Sequence, residues 1–289
     1  MKIIEIQNLT KYYGKVKGIE NLSLDLNKGE IFALIGPNGA GKSTTIRSFM
    51  NLINKTSGKV LINGKEFTKD DIETKKIIGY LPSEINLYEE LTVKEMIDYH
   101  QSYYDKKNGK RRKELVNLFK LDESKKIEEL SLGNLKKLGI VLALIHNPKI
   151  LILDEPTSGL DPIMQNVFYD LLKEEKAKGN TIFYSTHILN EVSKICDRVG
   201  IIRNGELIKV EKIEDLSKKS LTFVTITSEQ SKEIVKDLKV NTVSEDGNTI
   251  KFGNNLPHDE LIKKLSKYKI DRILIEEATL EDMFLHYYK

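Results

Sequence analysis

Hydrophobic residues in the first third of the chain are spaced as they are in β-strands. Residues 3–7 alternate apolar and polar side chains, and residues 22–26 place leucine at every second position. Ile31–Ile35 is a continuous apolar run, which is typical of a strand buried on both faces. Asn63-Gly64 predicts the two-residue turn of a β-hairpin. The N-terminal stretch is therefore predicted to be rich in strands, one of which leads into a glycine-rich loop.

Helices and strands then alternate through the rest of the first 216 residues. Helices are predicted at residues 41–52, within 85–126, and at residues 131–146 and 162–179, and strands at residues 150–153 and 181–186. Asn204-Gly205 predicts a second hairpin. This alternation predicts an α/β fold with buried parallel strands.

The remaining residues, 217–289, are predicted to form a small α+β domain. The predicted strands are residues 221–227, 240–244, 249–252 and 272–275, and the predicted helices are residues 229–238 and 259–267. That order is the split βαβ arrangement of a ferredoxin-like unit. A final amphipathic helix is predicted at residues 280–288.

Composition and charge restrict the classes of partner. The 289 residues contain 46 Lys and Arg against 43 Asp and Glu, which gives no reason to expect a nucleic-acid groove. One cysteine, Cys196, excludes an internal disulfide and fits a reducing compartment. No signal segment is expected at the N-terminus, and the apolar runs fall short of the roughly 20 residues that cross a bilayer. A role at a membrane therefore requires a second protein.

The segment GPNGAGKS matches the phosphate-binding pattern G-x-x-x-x-G-K-[ST] between a predicted strand and a predicted helix. Backbone N–H groups of such a loop converge on phosphate oxygens at a helix N-terminus. Lys42 is expected to reach the β- and γ-phosphates and Ser43 to ligate Mg²⁺. The predicted phosphate-binding residues are Gly36, Pro37, Asn38, Gly39, Ala40, Gly41, Lys42, Ser43 and Thr44. ATP and Mg²⁺ are the expected ligand and cofactor.

Two further strand ends carry candidate catalytic groups. Asp154 follows the apolar strand at residues 150–153 and is expected to hold Mg²⁺, while Glu155 is placed to polarise the attacking water as general base. His187 follows the next strand and is expected to hydrogen-bond the γ-phosphate and the water. The two acids alone are weak evidence, because strands often end in solvated carboxylates.

LSLGN, residues 130–134, begins a predicted helix between the phosphate loop and the acidic strand end. Ser131 is a favourable N-cap, so a plain capping motif is one interpretation. The order of the motifs favours another, in which Ser131 and Gly133 contact ATP.

With these motifs the chain resembles the ATP-binding subunit of an ABC transporter over residues 1–216. The resemblance implies an N-terminal antiparallel β subdomain, a P-loop NTPase core and a helical subdomain at about residues 85–135. It implies that Tyr13 stacks on adenine. It also implies that the γ-phosphate of the opposite protomer is contacted by Ser131, Gly133, Asn134 and Asp161.

The same resemblance implies the partners of the protein and its location in the cell. Two ATP-binding subunits, identical or close paralogues, close head-to-tail around two ATP molecules. The loop containing Ser83 and Glu84 transmits loss of the γ-phosphate to the helical subdomain, which receives a separate membrane permease. No nucleic acid is expected, and the protein is expected to be peripheral at the cytoplasmic face of the cell membrane.

Two departures from the family pattern narrow the resemblance. In the family's usual LSGGQ signature, Leu132 replaces a glycine and Asn134 replaces the glutamine. In addition, Ser83 stands where a second loop of the family carries glutamine. With the EPTSGLDP run and the C-terminal extension, these features are similar to bacterial multidrug and bacitracin-type exporters. Two alternatives stay open: a soluble ABC-class ATPase in translation or DNA maintenance, and a nucleotide-gated regulatory module with little turnover. Retained Glu155 and His187 argue against the second alternative.

Overall fold

The computed structural model describes residues 1–104, 109–218, 222–254 and 256–277. The chain divides into two units, Met1–Ile213 and Glu214–Lys289, and a helix, α8 (Ile213–Lys218), lies at their boundary. The helix predicted at residues 280–288 lies outside the described residues. Among the helices that are described, none has the length and apolar character needed to cross a membrane.

The first unit contains two sheets, seven α-helices before the boundary and a short 3-10 helix, Ile127–Glu129, in its described residues. Its strands are β1 (Lys2–Tyr13), β2 (Val16–Asn27), β3 (Ile31–Ile35), β4 (Ser57–Ile62), β5 (Lys65–Glu66), β6 (Ile78–Leu81), β7 (Ile150–Asp154), β8 (Thr181–Thr186), β9 (Arg198–Arg203) and β10 (Glu206–Lys212). Its helices are α1 (Lys42–Phe49), α2 (Ile72–Lys76), α3 (Val93–Gln101), α4 (Gly109–Leu118), α5 (Leu132–Leu144), α6 (Pro162–Ala177) and α7 (Leu189–Ile195). The α/β class and the antiparallel N-terminal sheet are as predicted.

The N-terminal sheet has the antiparallel order β2-β1-β4-β5. Strands β1 and β2 are each 12 residues long, so the predicted segments at residues 3–7 and 22–26 were too short. Asn8 and Asn21 have φ angles of 49° and 46°, and the register shifts between the pairs made by Ile6 and Leu9. These irregularities break the alternation of apolar residues, which is why the sequence pattern stops before the strands do.

The second sheet determines where the candidate nucleotide site lies. Its order is β10-β9-β3-β8-β7-β6, and all neighbours from β9 to β6 are parallel. The carboxyl ends of β3, β6, β7 and β8 therefore meet at one edge, where open α/β sheets bind ligands. The prediction omitted β6 and α2, since the four residues of β6 include Gly79 and show no clear periodicity.

Helix α5 lies close to strand β6 because glycines, which have no Cβ atom, stand where the helix and the strand meet. A Cβ atom on Gly79 would lie 2.0 Å from the carbonyl oxygen of Ala143 in α5. On the helix side, a Cβ atom on Gly139 would lie 2.5 Å from Cδ1 of Ile85 and 2.8 Å from Cδ1 of Leu81. This approach fixes the helix against the strand and the loop that follows it.

The second unit has its own sheet and core. Its described elements are β11 (Thr222–Thr227), α9 (Ser231–Leu238), β12 (Thr242–Asp246), β13 (Thr249–Asn254), α10 (His258–Leu265) and β14 (Arg272–Glu277). The sheet order is β12-β13-β11-β14 and every neighbouring pair is antiparallel. Both helices pack on one face of the sheet, with a core of Val224, Ile226, Ile234, Leu238, Ile250, Phe252, Leu261 and Leu265.

We expect Gly79→Ala to destabilise the first unit by about 1–3 kcal/mol, the usual cost of overpacking, because the new methyl group meets backbone that cannot rotate away. Denaturant unfolding followed by circular dichroism measures the change. Gly109→Ala is the matched control, since no other described part of the chain comes within 4 Å of a Cβ at that helix position. Equal unfolding midpoints for the two variants would contradict the close approach.

Candidate functional site

A cleft of about 570 Å³ lies at the carboxyl edge of the parallel strands. Its lining includes most of the residues that the sequence predicts for the nucleotide site: Tyr13, Asn38, Gly39, Gly41, Lys42, Ser43, Thr44, Ser83, Glu84, Glu155 and His187. Val16, Lys17, Gly18 and Ser158 complete it. Five chain segments separated in sequence thus meet at one place.

The glycine-rich loop runs from β3 to α1 in a backbone path that side chains would block. Gly41 has a φ angle of 110°, and a Cβ atom there would lie 2.9 Å from the carbonyl oxygen of Gly18. A Cβ atom on Gly36 would lie 2.3 Å from the carbonyl oxygen of Ile202. The loop therefore requires glycine at both positions and opens directly into the N-terminus of α1.

Lys42 carries the positive charge at the floor of the cleft. Its side chain is 6% exposed, and Nζ lies 3.2 Å from Oε1 of Glu155. Nζ also donates to the carbonyl oxygens of Gly36 at 2.8 Å and Pro37 at 3.3 Å. The loop thus holds the ammonium group by its own backbone and aims it at the end of β7.

Asp154 is fully buried at the end of β7. Oγ of Ser185 donates to its Oδ1 at 2.5 Å, whereas Oδ2 has no hydrogen-bond partner among the described residues. A buried carboxylate oxygen without a partner is costly unless a cation or water satisfies it. Together with the hydroxyl of Ser43, Asp154 provides the hard oxygen donors that Mg²⁺ prefers.

Glu155 and His187 form the candidate catalytic pair. Nδ1 of His187 lies 2.8 Å from Oε2 of Glu155, and the histidine is 49% exposed on the cleft side of the pair. Glu155 has a φ angle of 48°, a left-handed conformation that costs free energy in a residue other than glycine. Its N–H donates to the carbonyl oxygen of Ser185 at 3.1 Å and to Oγ of the same residue at 3.2 Å.

The predicted trans contacts lie outside the cleft. Oγ of Ser131 accepts from the N–H of Asn134 at 3.3 Å and caps α5, so the capping interpretation describes a contact that is present. Gly133 lies against the carbonyl oxygen of Gly159. Asp161 caps α6 by accepting from two backbone N–H groups, those of Ile163 at 3.0 Å and Met164 at 2.9 Å. Ser131, Gly133, Asn134 and Asp161 do not line the cleft of their own chain.

Sequence reasoning missed Glu191, whose buried carboxylate accepts four hydroxyl hydrogen bonds. We call these five residues the Glu191 cluster. The donors are Thr157 at 2.5 Å, Tyr169 at 3.1 Å, Tyr184 at 2.8 Å and Thr186 at 2.7 Å. Glu191 stands four residues after His187 on α7, and no local pattern in the sequence marks it.

The Glu191 cluster supports both sides of the catalytic pair. Thr157 lies two residues after Glu155, and Thr186 directly precedes His187. Burial and the nearby Glu191 carboxylate raise the pKa of Tyr184 well above its usual value, so this phenol stays protonated and keeps donating. Oγ1 of Thr186 also accepts from the N–H of Ile188 at 3.0 Å, which holds the turn at His187.

Comparison with known proteins decides the family. A family profile described as ABC transporter matches residues 19–158. An ABC transporter ATP-binding protein of Methanocaldococcus jannaschii, MJ1023, is 35% identical over 288 residues, which cover 98% of each chain. The bacitracin transport ATP-binding protein BcrA of Bacillus licheniformis is 36% identical over 299 residues, covering 98% of this chain and 96% of the relative. The chain belongs to the ABC transporter family.

A solved structure of this family has the same fold. It is the dimeric ATP-binding cassette MJ0796 in a post-hydrolysis state bound to ADP and Pi, with a TM-score of 0.66 and 28% identity, covering 73% of this chain and 99% of that chain. This ABC protein is therefore an ATPase, the energy-coupling subunit of an ABC transporter. The ABC profile spans the glycine-rich loop, Ser131 and Glu155.

Each carboxylate oxygen of Glu191 accepts from two hydroxyl groups, and glutamine replaces one of these oxygens by an NH₂ group that cannot accept. The turn at His187 therefore loses part of its hydrogen-bonded support. We expect Glu191→Gln to lower kcat for ATP hydrolysis about tenfold or more, the scale of a misplaced catalytic group, with little change in ATP affinity. Glu175→Gln is the control, because Glu175 is an equally buried glutamate in α6 that pairs with Arg111 and does not line the cleft. Equal kcat values in the two variants would rule out this support.

Proposed function

We propose that the chain is the ATPase subunit of an ABC exporter and works as a dimer with a separate membrane permease. The observation that carries the proposal is a division within the chain. Lys42, Glu155 and His187 meet in the cleft, whereas Ser131 and Gly133 lie outside it. A second protomer supplies the missing serine and backbone amide, so each ATP is held between two chains. The partner is a second copy or a close paralogue.

Dimer formation is supported by the chemistry of the outward-facing residues. Ser131 stands exposed at the positive end of the α5 dipole, where an anion is stabilised. Asn134 and Asp161 complete the surface that meets the partner's nucleotide. The related cassette with ADP and Pi is itself dimeric.

Hydrolysis follows from the groups in the cleft. Backbone N–H groups of the glycine-rich loop and the Lys42 ammonium bind the β- and γ-phosphates. Glu155 accepts a proton from water as the water oxygen attacks the γ-phosphorus and the bond to the β,γ-bridging oxygen breaks. His187 hydrogen-bonds the γ-phosphate and orients the water and the Glu155 carboxylate. The products are ADP and phosphate, and the proton passes from Glu155 to solvent.

Magnesium is the cofactor that the donor atoms fit. Ser43 and Asp154 would hold it, and the unpartnered Oδ2 of Asp154 is a carboxylate oxygen for which the described residues offer no other use. The ion supplies charge neutralisation on the β- and γ-phosphates. Tyr13 provides the aromatic surface for adenine at the mouth of the cleft, where it is 48% exposed.

Ser83 and Glu84 form the coupling loop to the permease. Both line the cleft and follow β6, so a change at the γ-phosphate reaches this loop directly. The hydroxyl of Ser83 is shorter than the family's glutamine and reaches the metal or the water less well, so we assign it no direct metal contact. The protein is then peripheral, held at the cytoplasmic face of the membrane by its permease, and the similarity to a bacitracin transport ATP-binding protein supports a role in transport.

Replacing Glu155 by glutamine removes the base and leaves the phosphate-binding groups in place. We expect Glu155→Gln to lose about 10²- to 10⁴-fold in kcat and to form an ATP-dependent dimer detectable by light scattering. Lys42→Ala is the paired control, which should bind no ATP and stay monomeric. Normal turnover by Glu155→Gln would remove Glu155 from the mechanism.

Mixing two inactive variants tests whether the site is shared. Lys42→Ala lacks the phosphate ligand and Ser131→Arg blocks the trans contact, so neither homodimer has an intact site. A mixed dimer has one complete site, made of Lys42 from one chain and Ser131 from the other. We expect ATPase activity to reappear when the purified variants are combined. A mixture as inactive as its components would indicate that each site lies within one chain.

A further inference from the structure

Lys136 is a buried lysine that neither the motifs nor the proposed mechanism uses. It lies on α5 and is 3% exposed. Its Nζ donates to the carbonyl oxygen of Ser83 at 2.9 Å and to the carbonyl oxygen of Glu155 at 3.4 Å. These two acceptors are 53 and 19 residues away along the chain. One ammonium group therefore joins three segments: the coupling loop, the end of β7, and the helix that Ser131 caps.

Burying the Lys136 charge costs free energy, which argues against a side chain that serves only to fill space in the core. An ammonium group removed from water loses solvation that two carbonyl oxygens replace only in part. Burial lowers the pKa of Lys136, and the nearby Asp154 and Glu155 carboxylates act in the opposite direction. An apolar side chain of the same length would fill the space without this cost.

The backbone of Glu155 is the group that gains most from Lys136. Glu155 has a positive φ angle, and a strained conformation persists only when its surroundings hold it from several sides. Ser185 accepts from the N–H of Glu155, and the carbonyl oxygen of Glu155 accepts from Nζ of Lys136 at 3.4 Å and from the N–H of Ser158 at 3.3 Å. Both polar groups of this residue are thus fixed, and the direction of its carboxylate is fixed with them.

Lys137, the next residue, provides a contrast within the same helix. Its Nζ lies 3.4 Å from Oδ1 of Asn134, in the turn of the helix that precedes it. It has no hydrogen bond to Ser83 or Glu155 among the contacts of the described residues. The two adjacent lysines therefore carry the same charge on the same helix, but among the described contacts it is Lys136 that binds Ser83 and Glu155.

We infer that Lys136 is a positioning residue for ATP hydrolysis, which holds the left-handed backbone of Glu155 and ties it to the coupling loop at Ser83. The inference rests on the proposed function, since Glu155 is the base there. A displacement of the coupling loop pulls on the same ammonium group that orients Glu155. The position of the loop is thereby transmitted to the base through one side chain.

The test compares Lys136→Met, Lys136→Arg and Lys137→Met in the full-length chain. We expect Lys136→Met to lower kcat about tenfold, as for loss of a hydrogen bond from a charged donor, with the ATP dissociation constant within about twofold of wild type. Amide hydrogen exchange should increase locally, at residues 82–91 and 155–161. Lys136→Arg keeps the charge and should recover most of the rate, and Lys137→Met should match wild type in every measurement.

Two outcomes would overturn the inference. One is a wild-type rate and wild-type exchange in Lys136→Met. The other is amide exchange that increases across the whole first unit in Lys136→Met, together with an equal loss of kcat in Lys136→Arg. That result would indicate that the lysine only stabilises the fold. Failure of the proposed function is separate, because it appears as absent turnover in wild type and Lys137→Met. The exchange measurement still tests Lys136 in that case.

Discussion

The site depends on the backbone of Glu155 being held in a left-handed conformation at the end of a buried strand. An extended residue at this position would turn its side chain toward one face of the sheet, as in the strand before it. Held as it is, the carboxylate meets the Lys42 ammonium on one side and the His187 ring on the other. The hydrogen bonds that Glu155 donates to Ser185 and accepts from Lys136 are therefore part of the proposed catalytic geometry, even though neither Ser185 nor Lys136 is expected to touch the substrate.

Sequence patterns were sufficient wherever a few contiguous residues determine both structure and chemistry. The glycine-rich loop needs glycine at Gly36 and Gly41 for steric reasons, so its pattern is recognisable without a structure. Asp154, Glu155 and His187 each follow the end of an apolar strand, and parallel strands bring their carboxyl ends to one edge. The meeting of these groups at one edge of the sheet could therefore be predicted before the geometry was known.

The same reasoning failed where structure depends on distant contacts. Strand β6 is four residues long and contains Gly79, which allows the close approach of α5, so its composition does not predict a strand. Asn8 interrupts the alternation in β1, and the strand continues because β2 and β4 pair with it on both sides. Glu191 and Lys136 find partners through folding, which a single sequence does not display.

Ser131 illustrates how one side chain can serve two molecules. Its oxygen accepts the N–H of Asn134 and caps the N-terminus of α5, and its hydroxyl hydrogen has no acceptor among the described residues. The bond that stops the helix from fraying thus keeps this donor exposed for a neighbouring chain. In the proposed dimer, local melting of the first turn of α5 and separation of the two protomers are consequently linked equilibria, and the coupling free energy between them is the same in both directions.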